Sequence, residues 1–152
     1  MTELQLSLVK LYLAEGKKDE AKQVLQSLID TQGTEPAGLR ARVALAHMLA
    51  DDNASDGRVP VLIKEVLVEN PRDNDALLLR GKLSANNKDY IEAINDFRSV
   101  LKDQPNNADV LLMLSAAHRA NNEKALALDT LRRGLEGNLE NIKLHLALAR
   151  ML

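Results

Sequence analysis

Residues 74–105 read NDALLLRGKLSANNKDYIEAINDFRSVLKDQP, and two amphipathic helical patterns meet in this stretch at Asn86-Asn87. Gly81 in the first pattern is small enough to let a facing helix approach, and Ala93 in the second does the same from the other side. Phe97, the one phenylalanine of the chain, predicts a large plug between neighbouring units. Pro105 stops the second helix, because proline lacks an N–H and crowds the preceding turn. Pro71 lies 34 positions before Pro105, so the stretch has the length of one copy of a recurring unit.

Downstream, residues 108–141 repeat the scheme, with Leu114-Ser115, Ala127 and Leu131 in register. Asn121-Asn122 stands at the inner turn, and asparagine is the residue after glycine that best tolerates positive φ. Leu139 replaces the closing proline. IKLHLALARML, residues 142–152, then begins a further copy. Its apolar residues Ile142, Leu144, Leu146, Leu148, Met151 and Leu152 are more than one helix face buries.

Upstream, Leu4, Leu8, Leu11 and Tyr12 predict one apolar stripe in a first helix that Gly16 ends. KKDEAKQVLQSLID predicts its partner, with Ala21 at the crossing. Residues 32–38, QGTEPAG, have turn composition. LRARVALAHMLA is the next helix, DDNASDG a long inner loop, and Pro60 marks the start of PVLIKEVLVEN, since proline fits a first turn. The pattern resembles the tetratricopeptide repeat, whose packing implies alanine at this crossing; Val59 stands there instead, and a looser crossing is expected. Arg80 stands where that repeat usually has leucine, and is expected to pack its stem while its head reaches solvent.

A 34-residue period with Gly81, Ala93, Phe97 and Pro105 at these places resembles the tetratricopeptide repeat, as found in multi-repeat bacterial proteins. The resemblance implies an all-α, right-handed α-solenoid of helix-turn-helix repeats. One domain, 1–152, would hold copies at about 2–35, 39–73, 74–107 and 108–141, with an unpaired first helix at 142–152. It also implies a non-catalytic interaction scaffold belonging to a longer repeat protein or assembly. The alternative is a self-associating structural module that uses the unpaired C-terminal helix.

In the family, first helices line a concave face that receives peptides or helices. Carried over one repeat at a time, Leu6, Val43, Leu78, Leu112 and Leu146 form an apolar ladder on that face. Lys10, His47, Lys82, Ala116 and Arg150 form a mostly basic rail one turn later. Glu3, Arg40, Asp75, Asp109 and Lys143 precede them with mixed sign. The Lys/Asn clamp with which one branch grips a C-terminal carboxylate is not supported, because Leu6, Leu78 and Leu112 occupy its polar places. The expected partner is an apolar or amphipathic helix that carries acidic residues. The competing reading is that the leucines pack against neighbouring first helices.

Composition narrows the remaining classes. Hydrophobic residues make up 45% of the chain but aromatic ones only 2%, so the core is aliphatic, which favours close-packed helices. The formal net charge of -2, the absence of basic runs and the scarcity of stacking aromatics argue against nucleic acid. With zero cysteines there is no disulfide, thiolate or sulfur-ligated zinc. No apolar run approaches the roughly 20 residues that span a bilayer. His47, His118 and His145 form no pair at turn spacing, and His118 and His145 fall on packing positions. DDNASDG lacks the ligand order and closing glutamate of a calcium loop. No cofactor, metal or catalytic constellation is legible.

Overall fold

The computed structural model describes residues 2–152, and all secondary structure among them is helical. Nine helices follow in order: α1 (Thr2–Ala14), α2 (Lys18–Gln32), α3 (Pro36–Asp52), α4 (Arg58–Glu69), α5 (Asn74–Asn86), α6 (Tyr90–Asp103), α7 (Ala108–Ala120), α8 (Lys124–Glu136) and α9 (Ile142–Met151). The architecture is an all-α solenoid of helical repeats. The chain divides into two compact units, Met1–Ala76 and Leu77–Leu152.

Within the first unit α1 packs on α2, α2 on α3, and α3 on α4. Ala21, Leu25 and Leu28 of α2 are wholly enclosed, as are Ala41 and Ala46 of α3 and Val59 and Val66 of α4. Val59 therefore fills its crossing rather than loosening it. The stripe expected on α1 is shifted: Val9 is its buried residue, whereas Leu4 and Leu11 are 71% and 53% exposed. α3 begins at Pro36, inside the stretch that reads as a turn. Gly38 makes this start possible, because a Cβ there would lie 2.2 Å from the carbonyl oxygen of Gly33.

The second unit is the regular one. Gly81 and Phe97 touch so closely that a Cβ on Gly81 would lie 2.7 Å from the Phe97 ring. Small residues thus let α5 and α6 approach while Phe97, almost fully buried, fills the space beside them. Further along, Leu111, Leu131 and Leu144 form a core cluster against which Leu112, Leu148 and Met151 pack. The fully enclosed Leu144 anchors α9 to α7 and α8.

Two local devices recur. At the inner turns of the first, third and fourth repeats, one residue enters the left-handed region: Gly16 (φ 74°), Lys88 (φ 67°) and Asn122 (φ 63°). The next N–H then reaches back five residues, Lys17 to Tyr12, Asp89 to Ser84 and Glu123 to His118, each at 2.8 Å. This closes otherwise orphaned carbonyls at the helix end. At the junctions, Asp73, Asn107 and Asn141 accept the N–H three residues on, at 2.9, 3.2 and 3.1 Å. These N-caps are spaced by 34 and start α5, α7 and α9.

Arg80 does more than reach solvent. Its guanidinium binds the Asp96 carboxylate twice, at 2.8 and 2.7 Å, and Asp96 is buried. The head locks α5 to α6. His145 departs from its expected packing position: it is exposed, with Nε2 2.7 Å from the Leu139 carbonyl oxygen. His118 is buried as expected.

Candidate functional site

The repeat geometry places a cleft where the end of one first helix, the start of its second helix and the following first helix meet. In the second unit this cleft has a volume of about 550 Å³ and lies between α5, α6 and α7. Lys82, Ala85 and Asn86 come from α5, and Ala116, Arg119 and Ala120, each 34 residues later, come from α7. Tyr90, Phe97, Met113 and Ala117 complete it. The floor is therefore mostly alanine and methionine methyl groups with two aromatic rings. Lys82 and Arg119 are exposed on the rim, and no carboxylate lines the space.

The first unit repeats the arrangement in a cleft of about 340 Å³. Ala44, His47, Met48 and Asp51 of α3 have the same spacing as Met113, Ala116, Ala117 and Ala120 of α7. Lys18 and Leu25 take the places of Tyr90 and Phe97. Charge separates the two clefts. Here Lys18 and Lys22 both bind Asp52, which is held below the usual carboxylate range by Lys22 first and Lys18 second. Asp51 adds an acid where the second unit has Ala120. The first cleft is thus of mixed sign and the second purely cationic.

The ten residues of the ladder and rail separate accordingly. Lys82 and Ala116 share the cleft of the second unit, and His47 lines that of the first. In the first unit, Val43 is buried, Leu6 is half-buried and Lys10 is exposed. In the second, Leu78 and Leu112 are half-buried, Arg150 is exposed, and Leu146 is 51% exposed. Leu112 packs against the core cluster, so packing accounts for part of its apolar character. Sequence reasoning missed Tyr90, Met113, Arg119 and Ala120. The signal that finds Arg119 and Ala120 is the 34-residue step from Ala85 and Asn86, one turn further along α5 and α7.

No helix among the described residues is long and apolar enough to cross a membrane. No group of three or more His, Asp or Glu among them could hold a metal ion.

Comparison with known proteins agrees with this geometry. Family models of the tetratricopeptide repeat match residues 3–32 and residues 85–151, together more than half of the chain. The chain belongs to the tetratricopeptide-repeat family, whose repeats are generally non-catalytic protein-interaction modules. Among curated proteins no sequence matches. Many solved structures are similar in fold, among them the following three. MamA from Desulfovibrio magneticus RS-1 has a TM-score of 0.83 and 19% identity, over 99% of this chain and 82% of that one. A tetratricopeptide repeat protein from Parabacteroides merdae has a TM-score of 0.84 and 15% identity, over 99% and 58%. PilF of Pseudomonas aeruginosa has a TM-score of 0.80 and 20% identity, over 99% and 67%.

Proposed function

We propose that the protein is a non-catalytic scaffold that holds an apolar or amphipathic helix with acidic residues on the faces of its first helices. The observation that carries this reading is the cleft between α5, α6 and α7. It joins a methyl-rich floor to two rim cations, Lys82 and Arg119, with no carboxylate in its lining. A partner side chain that leaves water for such a floor gains roughly 25 cal/mol per Å² of apolar area, before ordering costs are set against it. Carboxylates flanking that side chain meet the rim cations, which steer encounter and fix register. Leu78 and Arg150 extend the same chemistry along α5 and α9; the first unit, taken by itself, offers Leu6, Lys10 and His47, with Asp51 in its cleft.

The test uses two amphipathic helical peptides of identical apolar face, one with acidic and one with basic flanking residues, followed by fluorescence anisotropy. The acidic peptide is expected to bind, to weaken with salt, and to lose most of its affinity to the Lys82→Glu/Arg119→Glu variant. Equal binding of the basic peptide would sink the reading.

A second reading is favoured by one observation. Around α9, Leu139, Ile142 and Leu152 are more than 70% exposed, and Leu146 is half exposed. Such a face serves self-association between copies. Light scattering of the Ile142→Glu/Leu146→Glu variant against the parent chain separates the two readings, since the rim of the α5–α7 cleft is untouched.

A further inference from the structure

Ala116 interrupts the rail to which it belongs. Lys10, His47, Lys82 and Arg150 hold the same register in the other first helices, and all four are larger. Ala116 ends at a methyl group and lines the cleft between α5, α6 and α7. Beside it Ala117 stands where α3 has Met48, and one turn on Ala120 stands where α3 has Asp51. Three small side chains of α7 thus replace three larger ones of α3. The consequence is space: about 550 Å³ between α5, α6 and α7, against about 340 Å³ in the first unit's cleft. Alanine favours a helix anywhere, yet here its neighbours have not closed over it, since Ala116 and Ala120 are exposed. A closed apolar cavity of about 150 Å³ already takes benzene, so this open cleft admits a phenyl ring or an indole.

The lining favours a ring over an alkyl chain. The protein has three aromatic residues, and two of them, Tyr90 and Phe97, line this cleft. Phe97 is almost wholly enclosed, whereas Tyr90 is half-buried, so its ring is the one that a partner meets. Rings in edge-to-face or offset contact gain beyond the area they bury. Met113 is half-buried in the same lining, and a thioether against a ring is favourable. Lys82 of α5 and Arg119 of α7 bring cations to the rim from two helices, and a cation is attracted to an aromatic face. No carboxylate in the lining competes for them. An aliphatic side chain obtains the methyl contacts alone. In the first unit's cleft Lys18 and Leu25 take the places of the two rings, and Asp51 adds an acid.

We infer that the cleft between α5, α6 and α7 takes one aromatic side chain, phenylalanine or tryptophan, from the acid-flanked partner helix; the inference rests on that reading of the function. The test keeps the acidic amphipathic peptide and varies one central position of its apolar face. Leucine, phenylalanine, tryptophan and cyclohexylalanine are compared there, the last being a saturated ring at least as apolar as phenylalanine. Anisotropy with the whole chain is expected to show the phenylalanine or tryptophan peptide binding about tenfold tighter than the leucine peptide. Cyclohexylalanine should fall short of phenylalanine. Proton NMR supplies a second readout, because an entering ring shifts the Ala116 and Ala120 methyl signals upfield and leucine does not. Ala116→Leu/Ala120→Leu fills the space at two exposed positions and leaves Lys82 and Arg119 in place. With its fold checked by circular dichroism, this variant should lose the preference for a ring and keep the preference for acidic over basic peptides. Equal affinity of the leucine and aromatic peptides, or cyclohexylalanine matching phenylalanine, overturns the inference and leaves the acidic-helix reading standing. So does an unshifted Ala116 methyl signal, or a ring preference that survives in the double variant. Failure of every acidic peptide to bind removes the acidic-helix reading and the inference with it.

Discussion

Replacing Gly81 with alanine tests the contact on which the α5–α6 pair rests. Alone in a helix interior, the change should stabilise by about 0.5–1 kcal/mol, because glycine loses more chain entropy on folding. At Gly81 the new methyl group would lie 2.7 and 3.0 Å from two carbons of the Phe97 ring and 3.2 Å from Asp96 Cβ. Carbon atoms prefer about 3.5–4.0 Å, so something must move by nearly 1 Å. Neither neighbour is free to do so: Phe97 is 1% exposed, and Asp96 is pinned by two bonds from Arg80. Overpacking of this kind costs about 1–3 kcal/mol. Set against the helical gain, the net loss is about 1 kcal/mol, or roughly 2–4 °C in melting temperature for a chain of this size. Urea denaturation followed by circular dichroism measures it. Phe97→Leu supplies the cross-check, because a smaller side chain leaves room for the methyl group. The double variant should then be more stable than the sum of the singles by about 1 kcal/mol. If Gly81→Ala is more stable than the parent by the full helical gain, or if the two changes add, the contact does not govern the pair.

Lys88 occupies the left-handed region without being glycine, so Lys88→Gly should raise stability by about 1 kcal/mol in the same assay; a loss would mean that its side chain has a hidden structural role. Arg80→Met leaves the buried Asp96 carboxylate without its cation and should cost about 3–5 kcal/mol. Asp96→Ala should cost less, because the Arg80 side chain is 39% exposed and its head can hydrate; the reverse order would contradict the burial argument. Asp52, Asp56 and Glu123 all have carboxyl groups held below their ordinary range in the folded chain, Asp56 at about 2, through bonds from Lys22, Arg58 and His118 respectively. A depressed folded value contributes stability that is present above the unfolded value, about 4, and is lost as pH falls through the folded one. Urea midpoints should therefore fall between pH 5 and pH 2, and less steeply in Glu123→Gln. A parallel fall would remove Glu123 from the account.

Much of the scaffold was legible because a repeat writes its packing into the spacing of small and large side chains. Gly81, Ala93 and Phe97 identified their crossing directly, and Gly16 and Asn122 their turns. Lys88 did not stand out, since lysine carries no preference for positive φ; only its place, 34 residues before Asn122, marks it. Asp96 was invisible for a similar reason. On a helix wheel it reads as one more solvated acid, and its burial depends on Arg80 arriving from the neighbouring helix.

For the candidate site, local pattern selected residues on the right helix faces but could not tell which of them share a space. Lys82 and Ala116 meet in a cleft whose wall on α6, Tyr90, comes from a position that means nothing until α5, α6 and α7 are assembled. The helix pairs were readable from spacing along one chain, the aliphatic character of the core from composition, and the family from the resemblance that Gly81, Ala93, Phe97 and Pro105 carry. Tertiary structure alone decided which cleft is cationic, which acid is buried and which histidine is enclosed. Those properties belong to side chains from different helices, and their distances are set by how closely the backbones cross.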